Sequence, residues 1–478
     1  MWCETDATRL LKIVYPIVQG PFGGGLSSVE LTAAVSNLGG LGSFGAHIYE
    51  PRQIRDFVAR IRERTRSAFA INLWVNNADP GLAKFDHAAF EHHVDRMRPH
   101  YSALGLDPPE YPNRFGQDFE EQVEALIESA PPVFSFVFGI PSARIIDTCR
   151  ARGIVTIGNA TTSEEARAIE AAGIDIVLAT GADAGGHRVS FLAPPENFLV
   201  GTFSLIPQMR DAVRIPVIAA GGIVDGRGIA AALTLGADGV QIGTAFLACE
   251  ESGASPLHRA ALFSDRARHT TLTSAWTGRL ARAIRTDFSE QMAARAGDIA
   301  PYSAQNWLTS GLRTAAIEQG RADFVAVYVG QAAPLLRHRE ASELFGALVS
   351  ERNSRCRSPQ PGCSVSARLH GGAQTRFQAT LQQVLKPADR GRRGFAVLAV
   401  ERNEHRRQIR QPCGLAKRGE TGGKRSRRSH RHTQSDFHRS PKTRQVRTRM
   451  PDRPLDTGII ERGCRRRPEC TGGIEHRQ

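Results

Sequence analysis

The chain has 478 residues, 41% of them hydrophobic and 23% charged, so it is long enough for two or three domains and apolar enough to bury a core. Its formal net charge of +14 is unevenly spread: Lys and Arg stand against Asp and Glu at 31 to 37 over residues 1–350, and at 31 to 11 over residues 351–478. The body is mildly acidic, and the basic character that would suit a polyanion partner belongs to the C-terminal segment.

Cysteine usage and the N-terminus narrow the class further. Cys3, Cys149 and Cys249 are widely separated, which predicts a reduced, cytoplasmic body without a disulfide framework. Cys356, Cys363, Cys413, Cys464 and Cys470 show no C-x2-C spacing, so no zinc site is expected. The opening MWCETDATRLLKIVYP carries acidic residues where a signal peptide needs positive charge, and no apolar run approaches the length of a membrane span.

In chain order, eight short apolar runs alternate with helical patterns over the first 250 residues. They are IVYPIV (13–18), LGSFGA (41–46), FAINLWV (69–75), PVFSFVF (132–138), IVTIG (154–158), DIVLAT (175–180), PVIAAG (216–221) and GVQIG (239–243). Helices are predicted from Ser27 (SSVELTAAVSNLG), from Pro51 (PRQIRDFVARIRE) and from Thr162 (TSEEARAIEAAG). In the last, Thr162 or Ser163 caps the start with Glu165, and Gly173 ends it. Continuous apolar strands, each followed by a helix, imply a parallel sheet covered by helices. Eight such units predict a closed (β/α)8 TIM barrel over residues 1–264.

The segment 76–116 is too long for a plain connection and carries a helical pattern from Phe85 to Met97. It follows the third strand, so it is expected to stand over the barrel mouth as part of a substrate enclosure. His87, His92, His93 and His100 fall on that pattern and are read as an exposed face rather than metal ligands. Residues 265–350 read as a helical cap that includes NWLTSGLRTAAIEQG. Residues 351–478 are Arg-rich, aperiodic and poor in apolar groups, a composition expected to be disordered. An inert extension, nonspecific phosphate contacts with nucleic acid and the product of a shifted reading frame all fit that tail.

Candidate site residues cluster at strand ends. In ATGADAGGH (179–187), Gly185 and Gly186 shape a loop that delivers His187 to one place. The seventh run ends in Gly221 and Gly222 and the eighth in Gly243 and Thr244. These small residues would let backbone N–H groups reach a phosphate, helped by a hydroxyl and the following helix N-terminus. Asn72 and Gln19 are polar groups expected to point into the barrel mouth, where a flavin edge or ordinary core bonding would satisfy them.

With ATGADAGGH, PIVQGPFGG, INLWV, SFVFGIP and PVIAAGGI in this order, the chain resembles the FMN-dependent nitronate monooxygenase family, and beyond it the flavin-dependent enoyl-ACP reductases. The likeness runs from about Tyr15 to about Phe246, loosely to Ser350, and leaves out the tail. It implies that Gln19, Gly20 and Pro21 approach the flavin and that Asn72 bonds its ring system. Gly186, Gly221, Gly222, Gly243 and Thr244 would cradle the FMN phosphate, and His187 would be the catalytic base. Thr180 and Asp183 depart from the Gln and Glu usual in the family. The implied activity is oxidation of alkyl nitronates, or of nitroalkanes after loss of the α-proton, by O2 to a carbonyl compound and nitrite. Phe22, Trp74 and Phe138 are either pocket walls or core packing. NADH-dependent enoyl-ACP reduction is the rival chemistry, and nucleic-acid binding through the tail a rival of another class.

Overall fold

The computed structural model describes residues 2–75 and 79–355. The expectations of tail disorder and tail-borne nucleic-acid binding fall on 351–478, nearly all of it outside the described residues.

All eight apolar runs form strands of one parallel sheet. In chain order the strands are β1 (Ile17–Gln19), β2 (Gly42–Gly45), β3 (Phe69–Trp74), β4 (Val133–Val137), β5 (Val155–Ala160), β6 (Ile176–Thr180), β7 (Gly186–His187), β8 (Val217–Ala220), β9 (Gly239–Ile242), β10 (Thr270–Thr273) and β11 (Ala281–Ile284). The barrel is ordered β1-β9-β8-β6-β5-β4-β3-β2, and a parallel bridge from Val18 to Leu41 brings its two ends together. The architecture is the expected TIM barrel.

Strand periodicity sorts each side chain. In β3, Ile71 and Leu73 point outward and pack with Phe44, Phe134 and Phe136 against helix residues such as Ile54, Val58, Leu126 and Ile146. The intervening Ala70 faces the lumen with Val18, Val133, Ile157, Leu178 and Ile218, a core that also holds Ala7 and Leu11 of the helix Asp6–Leu11. Both faces of every strand are therefore covered, which is why the runs read as continuously apolar. That short N-terminal helix closes the lower end of the lumen, leaving the strand C-terminal ends as the open mouth.

The three predicted helices appear as Val29–Asn37, Pro51–Arg64 and Ser163–Ala171. Thr162 is the cap of the last, accepting the Glu165 N–H at 3.2 Å, and Gly173 follows its end with φ of 79°. In the inserted segment the helix runs His87–Ala103, past the expected end at Met97, with Pro99 inside it. Proline removes one backbone donor and normally stops a helix. Here Phe90, Val94, Met97 and Tyr101 share a buried face, and Tyr101 donates to the Leu308 carbonyl at 2.9 Å, so tertiary packing carries the helix through.

Residues 265–350 are not purely helical. The helices Asp287–Ala293, Ala304–Glu318 and Ala341–Arg355 are joined by β10 and β11, an antiparallel pair that adds β7 at its edge. Strands of four and two residues leave no periodic signal in the sequence. Among the described residues no helix is long and apolar enough to cross a membrane.

The last helix continues beyond Ser350, the expected end of the body. It buries Leu344, Phe345 and Leu348, and Glu351 accepts the Gly226 N–H at 3.2 Å. A chain ending after Arg355 should unfold in one cooperative thermal transition like the full-length protein. Ending after Glu340 removes those three side chains from the core, at roughly 2–5 kcal/mol each. That exceeds the usual margin of stability, so the shorter chain should be insoluble or lack the transition in calorimetry.

Candidate functional site

A cavity of about 580 Å³ opens at the barrel mouth, within the range typical of small-molecule sites. The expected residues Gly20, Pro21, Asn72, Gly186, His187, Gly221, Gly222, Gly243 and Thr244 all line it. One does not. Gln19 follows lumen-facing Val18 by one residue, so strand alternation turns it away from the lumen. Its amide is taken up by backbone, donating to the Gly20 carbonyl and accepting the Ser43 N–H at 2.9 Å. That second bond joins β1 to β2 just above the bridge that closes the barrel, so Gln19 fastens the seam instead of pointing into the mouth.

The loop 181–187 explains its own glycines. A Cβ on Gly185 would stand 2.5 Å from the Gly330 backbone nitrogen, so two chain segments touch there with no room for a side chain. Gly186 has φ of 82°, in the left-handed region that glycine adopts without strain. Asp183, in the same loop, accepts the Thr202 N–H at 2.6 Å and so caps the helix Thr202–Ala212 from a distance. Thr180 donates to Asn159 Oδ1 at 2.8 Å. The two family departures thus have structural partners.

Gly221 and Gly222 also have positive φ, 113° and 68°, and a Cβ on Gly221 would meet Thr202 Oγ1 at 2.6 Å. No acceptor among the described residues takes the N–H groups of Gly222, Ile223 or Gly243. Thr244 Oγ1 accepts the Gly330 N–H at 3.0 Å, which leaves its own proton to donate. Free backbone donors on two adjacent strand ends and a hydroxyl, all lining the cavity, fit a phosphate group. The helix N-terminus expected to assist is less available: after β8, Asp225 already accepts the N–H groups of Arg227 and Gly228, and after β9 the helix is a single turn, Thr244–Leu247.

His187 stands at the opposite wall. Its Nε2 lies 2.8 Å from Thr277 Oγ1, its ring is edge-on to Trp74 at 5.0 Å, and Tyr328 is 5.3 Å away. Burial, then the Arg279 guanidinium, push its pKa down to about 3, so the imidazole is neutral at pH 7. His47 is stacked on the other side of this wall, parallel to Trp74 at 3.9 Å, and the same two causes push it to about 3.

Arg279 is buried, with its guanidinium 4.1 Å from the Phe138 ring centre and 4.2 Å from that of Tyr302, and bonded through Nε to Asp79 at 2.8 Å. Phe138 therefore lies behind the wall as packing, while Phe22 and Trp74 face the cavity. Arg313 reaches the cavity from the helix Ala304–Glu318, held by Asn306 Oδ1 at 2.8 Å. Among the described residues no Asp or Glu lines the cavity, and Arg313 is the sole Lys or Arg there. Of the histidines read as an exposed face, His87 and His92 are exposed, whereas His93 is half-buried against Phe85 and His100 against Phe288 and Phe324, so packing takes up part of that face.

Sequence reasoning missed His47, Thr277, Arg279, Tyr302, Arg313 and Tyr328. His47 directly follows the second strand run, so the rule that chemistry sits at strand C-terminal ends would have found it. Asn306, Ser310, Arg313 and Ile317 recur at helical spacing, a partly polar stripe on a helix with an otherwise apolar face. Thr277 and Arg279 lie in an irregular turn and carry no local signal.

The family model described as nitronate monooxygenase matches residues 4–351. A probable nitronate monooxygenase of Staphylococcus aureus (strain Newman) is 40% identical over 354 residues, spanning 74% of this chain and 98% of that relative. Among solved structures, a nitroalkane oxidase from Streptomyces ansochromogenes aligns with a TM-score of 0.67 at 37% identity, covering 73% of this chain and 98% of its own. FabK from Thermotoga maritima aligns with a TM-score of 0.57 at 28% identity, covering 74% and 97%. By the match of the family model over residues 4–351 and by these relatives, the chain belongs to the nitronate monooxygenase family of flavin oxidoreductases.

Proposed function

We propose that the protein binds FMN and oxidises alkyl nitronates with O2 to a carbonyl compound and nitrite, acting in the cytoplasm. One observation carries the choice of substrate: among the described residues the cavity is lined by Arg313 and no carboxylate, while Arg279 behind the wall has its own partner in Asp79. A site with uncompensated positive charge in a low-dielectric setting favours an anion. A nitronate is an anion; a nitroalkane is not.

FMN would supply the acceptance of electrons from the substrate and their delivery to O2. Gly222, Gly243 and Thr244 would hold its phosphate, and Gly20, Pro21 and Asn72 would lie along the rest of it. Asn72 is already oriented by the bond from its Nδ2 to Ser135 Oγ at 3.0 Å. Trp74 and Phe22 would exclude water from the reacting carbon. His187, neutral at pH 7, is in the form that accepts a proton, so a neutral nitroalkane would enter the same path by transferring its α-proton to the imidazole. A base whose conjugate acid is disfavoured by burial and by Arg279 takes that proton reluctantly. Nitronates are therefore the better substrates.

Anaerobic mixing tests the reading against the enoyl-ACP reductase chemistry that the likeness to FabK raises. Flavin bleaching by a nitronate but not by NADH is expected; bleaching by NADH alone would reject the proposal. Gly222→Asp puts a side chain at φ of 68°, with its Cβ 3.4 Å from the Asp183 side chain, so it should displace the turn that carries the free N–H groups and leave the purified protein largely without flavin absorbance. Unchanged flavin content would move the cofactor elsewhere.

His187→Asn should lower turnover of a neutral nitroalkane by about 10²- to 10⁴-fold, the usual loss of a positioned general base. Oxidation of preformed nitronate should fall much less. Equal losses on both would give His187 a binding role instead.

The lowered histidine pKa values also set a sign for acid stability. His47 binds a proton near pH 6.5 when unfolded and only near pH 3 when folded, so its contribution is full above pH 6.5 and is lost as pH falls toward 3. His47→Gln should therefore flatten the fall in unfolding free energy between pH 6.5 and 4, by up to one proton, about 1.4 kcal/mol per pH unit. Denaturant titrations across that range, with parallel slopes for both proteins, would refute it.

A further inference from the structure

His187 ends a short hydrogen-bond chain that begins in the turn between β10 and β11. Thr277 Oγ1 lies 2.8 Å from His187 Nε2 and 3.3 Å from the Arg279 carbonyl oxygen, and it accepts the Arg279 N–H at 3.3 Å. Thr277 is buried, so its one proton and two lone pairs are divided among these three groups.

Two arrangements are open, and they differ in what they leave unpaired. If the hydroxyl donates to the Arg279 carbonyl, its lone pairs take the Arg279 N–H and a proton on His187 Nε2, and every group is satisfied. If it donates to Nε2 instead, the Arg279 carbonyl has no other donor among the described residues. The histidine proton then sits on Nδ1, the ring nitrogen left to the cavity that His187 lines. Leaving the carbonyl of buried Arg279 unmet costs its desolvation, so the first arrangement wins.

The same segment also holds the histidine backbone. His187 pairs with Ala281 across β7 and β11, and the Arg188 N–H donates to the Leu280 carbonyl at 2.8 Å. Main chain and ring are thus registered to one turn.

We propose that Thr277 is a positioning residue that keeps His187 in its Nε2–H tautomer, so that Nδ1 is the atom that receives the substrate's α-proton. The nitrogen left free is set by the bond the other makes. In the step, the α C–H bond breaks, the proton passes to Nδ1, and the electron pair stays on the substrate as the nitronate. This rests on the reading of His187 as a base.

The test uses the full-length flavoprotein with 15N-labelled histidine, in long-range proton–nitrogen correlation spectra at pH 7, with His187→Asn identifying the His187 signals. Wild-type protein and Thr277→Ser should show a protonated Nε2 and an unprotonated Nδ1. Thr277→Val, which keeps the shape and removes the hydroxyl, should shift His187 toward the other tautomer or a mixture. It should lower nitroalkane turnover about 10- to 100-fold with nitronate oxidation little changed, and Thr277→Ser should restore it. A wild-type His187 protonated on Nδ1, or a Thr277→Val spectrum with the wild-type tautomer, would overturn the proposal. Failure of the base reading is seen separately, as unchanged nitroalkane turnover in His187→Asn, whatever tautomer the spectra report.

Discussion

The mouth of this barrel depends on backbone pressed against backbone. The 181–187 loop lies between the Gly201–Thr202 helix start, the Gly221–Gly222 turn and the Val329–Gly330 segment, with Cβ positions at Gly181, Gly185 and Gly221 that would fall 2.5–2.6 Å or less from their neighbours. Contact this close is open only to glycine: Gly185 meets the Val329–Gly330 backbone, while Gly181 and Gly221 close on Thr202, whose hydroxyl lies between them. What it creates is a surface of free N–H groups on one side and a rigid platform for His187 on the other. A β-carbon added at any of these points would push the segments apart and misplace both at once.

Electrostatics follows from the same geometry. Segments that meet through backbone leave little room for ionised side chains on the cavity surface, and the one among the described lining residues is Arg313. Arg279 is fixed by Asp79 and flanked by Phe138 and Tyr302, so its charge is delivered to the histidine wall without the residue itself opening onto the cavity. Arg313 opens onto it directly. The result is a pocket in which imidazoles stay neutral and anions are favoured. Buried cations lacking full partners are costly, and their presence at the mouth is understandable as preparation for a negatively charged occupant.

Asp79 links this charge pattern to the inserted segment. Its backbone N–H donates to the Tyr302 carbonyl at 2.9 Å while its carboxylate accepts from Arg279 and from the Tyr302 N–H. The start of the insertion, the β10–β11 turn and the entry to the helix Ala304–Glu318 are thereby tied together over the mouth. None of the described residues of the insertion lines the cavity; Tyr302, Asn306 and Arg313, some 200 positions later, line it instead, with Asp79 bonded to Tyr302.

The barrel was legible in the sequence because its signal is local and repeated: eight apolar runs with helical patterns between them. The lining of the mouth by Gly221, Gly222, Gly243 and Thr244 was legible for the same reason, since these residues are marked by their position just past a strand. Gln19 was misread because a three-residue strand gives too few alternations to fix its phase, and only the pairing of Val18 with Leu41 sets which way it points. Thr277, Arg279, Tyr302 and Arg313 lie outside the eight units, in segments whose residues have no periodic relation to the barrel strands. Their convergence on His187 is a product of long-range packing. The sequence by itself determined the barrel, the family and the residue types at strand ends, because these depend on short-range pattern. The charge state of the histidines, the charge lining the cavity and the partners of His187 were decided by tertiary structure, because burial, distance and hydrogen-bond partners exist only once the chain has folded.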